Sequence, residues 1–312
     1  MAASSPSSDA LIECVPNFSE GRRPEVIEAI VAAMKIDGAH LLDYSLDSDH
    51  NRSVVTLAGS PAAVVEAAIR AAGRAADLID LTSQEGVHPR IGAADVIPFV
   101  PIRGISLEQC ALLARQAGAE IWKRYQVPVY FYEAAAARPD RAMLEEVRRG
   151  QFEGLRDAVL REPARRPDVG GPALHPTAGA SAVGARRFLI ALNLYLDTAD
   201  VAIARAIARD IRQSGGGLAG VKAMGVSAHG QAQVSMNLTD FTRTPVGQVF
   251  AAVKEKARRH GAAPASAELI GLIPEAALEQ NSEWLRLLSD FDPGQKVLER
   301  RLEHPLPWPE IA

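Results

Sequence analysis

Eleven consecutive residues, Glu85-Gly86-Val87-His88-Pro89-Arg90-Ile91-Gly92-Ala93-Ala94-Asp95, bring one imidazole, one guanidinium and two carboxylates into a single short segment. Imidazole is the side chain best suited to take and return a proton near neutral pH, with a reference pKa of about 6.5. Gly86, Pro89 and Gly92 punctuate the segment as a loop, and loops held on a rigid sheet are where chemistry tends to sit. His88 is therefore the candidate general base and acid, the alternative being a solvated loop histidine.

A second polar run, Asp47-Ser48-Asp49-His50-Asn51-Arg52, begins like a calcium-binding loop. Arg52 stands where the turn requires glycine and Ala58 where the bidentate glutamate belongs, so calcium is rejected. The run is either a solvated hairpin loop or a polar wall of a cleft. Gly215-Gly216-Gly217-Leu218-Ala219-Gly220 satisfies G-x-G-x-x-G, but it follows a helical pattern and precedes a strand, the reverse of a dinucleotide site. There is no H-E-x-x-H, no pair of histidines at i and i+4 and no G-x-S-x-G. A helical zinc site and a serine-hydrolase elbow have no support, and no metal is implied.

The elements that must carry these loops follow from periodicity. Residues 11–15 read as a buried strand ending in a turn at 16–21, and Val26, Ile27, Ile30, Val31 and Met34 mark a helix face. Two extended runs within 40–58 make a hairpin around 45–52. Ser60-Pro61 starts the next helix, with Pro at the first helical position. Residues 96–102 form a strand whose Pro98 and Pro101 predict an edge or irregular position. Ser106 and Gln109 have capping-box spacing, and 127–132 is one more strand. Between 162 and 179 Gly and Pro interrupt all periodicity, which marks a domain boundary.

The order then repeats: strand 188–195, a helix with Ile203, Ile207 and Ile211 on one face, a hairpin from 221–226 and 232–238 turning at Ala228-His229-Gly230, a helix through Val249, Phe250 and Val253, and strand 269–273. Each half reads as a split β-α-β unit. The expected fold class is α+β, with two tandem ferredoxin-like subdomains whose helices lie outside and whose sheets face each other across a cleft.

Composition agrees with such a chain. Its 312 residues are 47% hydrophobic and 23% charged, with 34 Lys and Arg against 38 Asp and Glu, or 34 − 38 = −4. That is enough for about two domains. No global basic field invites nucleic acid, no apolar run approaches the roughly 20 residues that span a bilayer, and no secretory leader is evident. A cytoplasmic protein is expected. Cys14 and Cys110 lie too far from any Cys-x-x-Cys pattern to frame a metal site and are expected to be buried thiols.

Four segments taken together are recognisable: Glu13-Cys14-Val15-Pro16-Asn17-Phe18-Ser19-Glu20-Gly21, Asn51-Arg52-Ser53-Val54, His88-Pro89-Arg90-Ile91-Gly92-Ala93-Ala94-Asp95-Val96-Ile97-Pro98-Phe99 and Gly184-Ala185-Arg186-Arg187-Phe188-Leu189-Ile190-Ala191. In this order they resemble the glutamate formimidoyltransferase family, from Leu11 to about Glu279. The resemblance implies transfer of a formimidoyl group from N-formimidoyl-L-glutamate to N5 of tetrahydrofolate, a step of histidine degradation, with tetrahydrofolate as co-substrate and a homodimer as the assembly. It implies an N-terminal subdomain, 1–178, with the catalytic loop and folate-binding linker, and a C-terminal subdomain, 179–312. It makes His88 catalytic and assigns folate binding to Gly170-Gly171-Pro172-Ala173-Leu174-His175-Pro176-Thr177-Ala178-Gly179. No cyclodeaminase domain is expected in this length.

For the substrate itself, Asn17, Asp47, Asn51, Arg52, Arg90 and Asp95 are the expected contacts. Asp47, Asp49, Glu85 and Asp95 are candidates to face a cationic amidine, Arg52 and Arg90 to fork onto glutamate carboxylates, and Arg186, Arg187 or Lys222 to meet the folate tail. Vertebrate members carry an acid where this chain has Ser45, so Asp47 or Asp49 is expected to replace it. The alternatives are a relative acting on 5-formyltetrahydrofolate and a non-catalytic folate-binding module of the same architecture.

Overall fold

Pro24 opens helix α1 (Pro24–Ala33), where its missing N–H costs nothing, and Val26, Ile27, Ile30 and Val31 bury the face that the spacing predicts. The computed structural model describes residues 7, 9–86, 88–278, 283–289 and 291–310. Most of the polar start, residues 1–6 and 8, lies outside the described residues, as do Val87 of the His88 loop and the last positions of the expected resemblance near Glu279. The chain is α+β, built on two sheets.

In the first unit, β1 (Leu11–Cys14) and β2 (Asn17–Phe18) continue one line that breaks at Val15-Pro16. Beyond α1 come β3 (Ala39–Asp47) and β4 (Arg52–Gly59), a hairpin longer than expected because pairing extends to Asp47 opposite Arg52. Helix α2 (Pro61–Leu78), strand β5 (Ala94–Arg103), helix α3 (Leu107–Tyr125) and β6 (Val129–Glu133) follow. The capping box on α3 forms in both directions, Gln109 N donating to Ser106 Oγ and Ser106 N to Gln109 Oε1.

Two expectations are corrected here. Strand β5 is interior rather than an edge, with β1 and β2 on one side and β7 (Ser181–Ala185) parallel to it on the other, while the irregular alternative holds, since the register shifts against both β1 and β2. Pro98 is tolerated because its carbonyl and nitrogen face the gap between β1 and β2, where Val15 N donates to Pro98 O. A missing donor there leaves no ladder partner unsatisfied. Strand β7 itself was not anticipated. It lies between β5 and β6, parallel to both, and makes a seven-stranded mixed sheet where five strands were expected.

Helices α1 to α3 supply Ile27, Ile30, Val64, Ala68, Ala114 and Ile121 to a core that includes Ile12, Phe18, Leu57, Ile97 and Phe99 from the sheet. The short α4 (Leu144–Val147) and α5 (Gln151–Arg161) precede the Gly/Pro-rich segment. Because β7 belongs to this sheet, the first unit runs Met1–Arg186 and regains Pro305–Ala312. Leu306 N donates to Leu41 O at 2.8 Å.

The second unit, Arg187–His304, is a β-α-β-β-α-β series. It comprises β8 (Ile190–Leu196), α6 (Val201–Ile211), β9 (Val221–Ala228), β10 (Gln231–Leu238), α7 (Val246–Arg259) and β11 (Pro264–Ile270), in the sheet order β11-β8-β10-β9. His229 and Gly230 both take positive φ at the hairpin turn, as a two-residue turn demands. The last strand starts at Pro264, five residues before the apolar run that suggested it. Gly215 to Gly220 sit between α6 and β9, a helix stop rather than a phosphate loop.

Candidate active site

Asp95, at the start of β5, is fully buried and is the organising charge. Its Oδ1 accepts Ile91 N at 2.8 Å, and its Oδ2 accepts Arg52 Nη1 at 2.8 Å and also Arg148 Nη2. Burial opposes the charge, but Arg148 and Arg52 overcome it and hold the carboxyl at about 2. Arg52 is pinned further by Asn17, whose Oδ1 accepts from Nε at 3.1 Å and Nη2 at 2.9 Å. Asn17 Nδ2 donates back to Val15 O. Burial and Arg148 lower the Arg52 pKa to about 10 against the pull of Asp95, so it stays charged.

His88 lies partly buried above this group. Its Nδ1 lies 2.8 Å from Pro89 O. A carbonyl only accepts, so Nδ1 carries the proton and Nε2 the lone pair. Burial first, then Arg52 and Arg148, depress its pKa to about 3, with Asp95 acting in the opposite direction. The free imidazole is therefore neutral, with its Nε2 lone pair unprotonated but only weakly basic, rather than poised near 6.5.

The hairpin turn adds a second imidazole. Asp47 Oδ1 accepts Asp49 N and His50 N, both at 2.9 Å, and its Oδ2 accepts His50 Nδ1 at 2.7 Å. Burial raises the Asp47 pKa, but the bonds from His50 win and bring it to about 2. The His50 ring stands edge-on to His88, with centroids 6.3 Å apart. Of the two acids considered for the Ser45 departure, Asp47 is joined to the His50 ring beside His88.

Asn51 and Arg90 are framing residues. Asn51 Oδ1 accepts Gly21 N at 2.9 Å and Nδ2 donates to Glu85 O at 2.8 Å, joining three loops. Arg90 is bidentate on Glu153, at 3.1 and 2.8 Å, and its remaining donors reach Gln84 and Leu81. Phe152 N also donates to Arg90 O at 2.9 Å. These bonds fix the 148–153 turn to the His88 loop.

The 170–179 segment is stitched to the same loop. Leu81 N donates to Thr177 O, Ala93 N to Ala178 O and Ala180 N to Ile91 O, each at 2.9 Å. Gly92 and Gly179 face each other in this pairing. A Cβ on Gly92 would lie 2.0 Å from Ala180 O, and one on Gly179 2.1 Å from Ile91 O at φ +69°. His175 Nδ1 accepts Ala178 N at 3.0 Å, and burial lowers its pKa. Leu174 and Ala178 are buried, Pro176 is exposed, and Gly170, Gly171, Pro172 and Ala173 are also exposed.

Arg148, Glu153 and His50 were not singled out from the sequence. Nothing distinguishes Arg148 from Arg149 beside it, since its partner is 53 residues away. The histidine in the polar run was the one signal that could have been used. Glu85 lies exposed, and Arg186, Arg187 and Lys222, the candidates for the folate tail, are partly buried or exposed.

A profile described as "Formiminotransferase domain, N-terminal subdomain" matches residues 11–186, and one described as "Formiminotransferase domain" matches 191–300. The chain is 44% identical over 295 residues to a glutamate formimidoyltransferase of Streptococcus pyogenes serotype M1, covering 94% of this chain and 98% of that one. It is 41% identical over 299 residues to a glutamate formimidoyltransferase of Thermoplasma acidophilum, with the same coverage. To the formimidoyltransferase-cyclodeaminase of Mus musculus it is 40% identical, over 86% of this chain and 51% of that protein.

Proposed function

Because the chain belongs to the formiminotransferase family, we infer that it is a glutamate formimidoyltransferase, moving the formimidoyl group of N-formimidoyl-L-glutamate to N5 of tetrahydrofolate. The structural observation that carries the mechanism is His88 with its Nδ1 proton committed to Pro89 O, which leaves Nε2 as the base. N5 attacks the amidine carbon and forms a C–N5 bond. The N5 proton passes to His88 Nε2. The tetrahedral carbon then expels the glutamate nitrogen, which takes that proton, and the products are 5-formimidoyltetrahydrofolate and L-glutamate.

An imidazole with a depressed pKa returns its proton readily but holds it weakly. The neighbouring cations that depress it are also the groups that an anionic substrate would offset. Binding of formimidoylglutamate would therefore raise the basicity of His88 at the moment it is needed. General acid-base help is worth about 10² to 10⁴ in rate, so the registration of two substrates carries at least as much.

Asn17, Arg52 and Asp95 hold the charge beneath His88, Asp47 orients His50, and Asn51 and Arg90 hold the loops in which substrate is gripped. Residues 170–179 are assigned to the folate: the exposed stretch 170–173 offers backbone groups to the edges of a flat ring, the Trp122 ring taking the place a Gly170 side chain would fill, while 175–179 anchor the segment. Supported by the strand order of the second unit, we read the units as tandem ferredoxin-like subdomains. We assign the working form as a cytoplasmic homodimer.

A spectroscopic transfer assay with formimidoylglutamate and tetrahydrofolate tests the function. Run beside 5-formyltetrahydrofolate with ATP, it should show turnover of the first pair. Turnover of the second pair alone overturns the reading.

A further inference from the structure

Three arginines surround the His88 loop, and their donors are used very differently. Arg52 has Nε and Nη2 on Asn17 and Nη1 on Asp95. Arg90 has Nε on Gln84, Nη1 on Glu153 and Nη2 shared among Glu153, Gln84 and Leu81. Arg52 so spends three of its five N–H donors and Arg90 four, all on contacts that hold the loops. Arg148 is the exception. Among the described residues its Nη2 meets Asp95, its Nε is buried with no partner, and Nη1 has none.

We propose that Arg148 is the specificity-determining anchor for the α-carboxylate of formimidoylglutamate. The inference rests on the transferase reading above and adds a residue to it. A guanidinium carries five N–H donors in a planar fork matched to carboxylate, and the single contact to Asp95 leaves that fork mostly unspent. The unpaired, buried Nε is itself unfavourable, and the Nη groups, with only Asp95 to meet among the described residues, are the donors left for a ligand carboxylate. Asp95 cannot do so alone, because its Oδ2 is already shared between two guanidinium groups and its Oδ1 is taken by Ile91 N.

The position is rigid. Arg148 ends α4, its N donating to Leu144 O at 3.0 Å. The turn that follows is tied to the His88 loop through Phe152 N to Arg90 O and through the Arg90–Glu153 pair. The cation is tied to the His88 loop through Asp95, whose Oδ2 accepts Arg148 Nη2 while its Oδ1 accepts Ile91 N, three residues on from His88, which places it beside the imidazole's loop. The α-carboxylate is the group that fits. It is bonded to the carbon bearing the leaving nitrogen, so its place is fixed once the amidine is at His88, whereas the side-chain carboxylate swings on rotatable bonds.

The test crosses enzyme variant with substrate analogue. Wild type and Arg148→Met are assayed with formimidoylglutamate, with its α-amide (N-formimidoyl-isoglutamine) and with its side-chain amide (N-formimidoylglutamine). Wild type should prefer the acid over the α-amide by about 10- to 100-fold in kcat/KM, the worth of a charge-assisted bidentate contact. Arg148→Met should shrink that ratio to within about threefold, keep the preference over the side-chain amide, and leave KM for tetrahydrofolate within about twofold. Arg148→Lys, which keeps the charge and loses the fork, should fall between; it also serves if the Met variant does not fold.

An unchanged α-amide ratio in both variants overturns the proposal while leaving the transferase reading intact, as does a loss shared equally by all three substrates. Failure of wild type to transfer from formimidoylglutamate overturns the underlying reading and this proposal with it.

Discussion

The Nδ1 proton of His88 points at the carbonyl oxygen of Pro89, its own neighbour in the chain, at 2.8 Å. The contact needs no partner from elsewhere in the fold, and it selects the tautomer that leaves Nε2 as acceptor. His88→Ala should therefore lower kcat by about 10² to 10⁴ while changing KM for either substrate little. Steady-state kinetics check this, and retention of kcat would remove His88 from the mechanism.

The free imidazole should titrate far below the usual histidine range. Its folded pKa of about 3 lies below the unfolded value near 6.5, so the unfolded chain binds more protons between those limits. The stability tied to this neutral ring is complete above pH 6.5 and is lost as pH falls toward 3, with a slope of about 1.4 kcal/mol per pH unit for one proton. Urea unfolding of wild type and His88→Ala between pH 7.5 and 4.5 should show a steeper decline for wild type. An NMR midpoint for His88 above pH 5.5 would contradict the site electrostatics.

Asp95→Asn removes the negative charge that two buried guanidinium groups share. Breaking one partner of a buried ion pair costs about 3–5 kcal/mol, and the same loss should appear in urea unfolding at pH 7. Because the amide cannot offset Arg52 and Arg148, activity should fall as well, even where the variant is fully folded.

Gly179→Ala should destabilise the protein by at least about 1–3 kcal/mol, since φ is +69° and the new Cβ would meet Ile91 O. A thermal melt reads the loss. Gly216→Ala, also at positive φ but with open space around it, supplies the control that separates backbone strain from collision; its smaller loss is the expected result.

Breaking the Asp47–His50 bond should disturb the second imidazole without unfolding the hairpin. Asp47→Asn retains acceptance of the two backbone N–H groups but offers His50 a neutral partner. The expected outcome is a fall in kcat with a melting temperature within about 3 °C of wild type, roughly the shift that 1 kcal/mol produces in a protein of this class. A collapse in stability with normal residual kcat would show that the pair only shapes the turn.

Much of this protein is local and therefore legible. Amphipathic spacing gives α1 and α2, the Ser106-x-x-Gln109 spacing gives the α3 cap, and the His229-Gly230 turn gives the second hairpin, because each depends on residues within one or two turns of chain. His88 belongs to this class too: its loop punctuation, its side chain and even its carbonyl partner are sequence neighbours. Tertiary structure decided everything that joins distant segments. Strand β7 had no signal because parallel pairing with β5 and β6 is set by where the intervening chain returns. Arg90 could be read as a carboxylate fork but not as Glu153's, 63 residues away. Arg148 was invisible, since a surface arginine and one ending beside a buried aspartate look alike until the α4 turn is docked. Charge in this site is a property of convergence: one carboxylate between two guanidinium groups lowers the basicity of an imidazole, and no spacing along the chain encodes that sum.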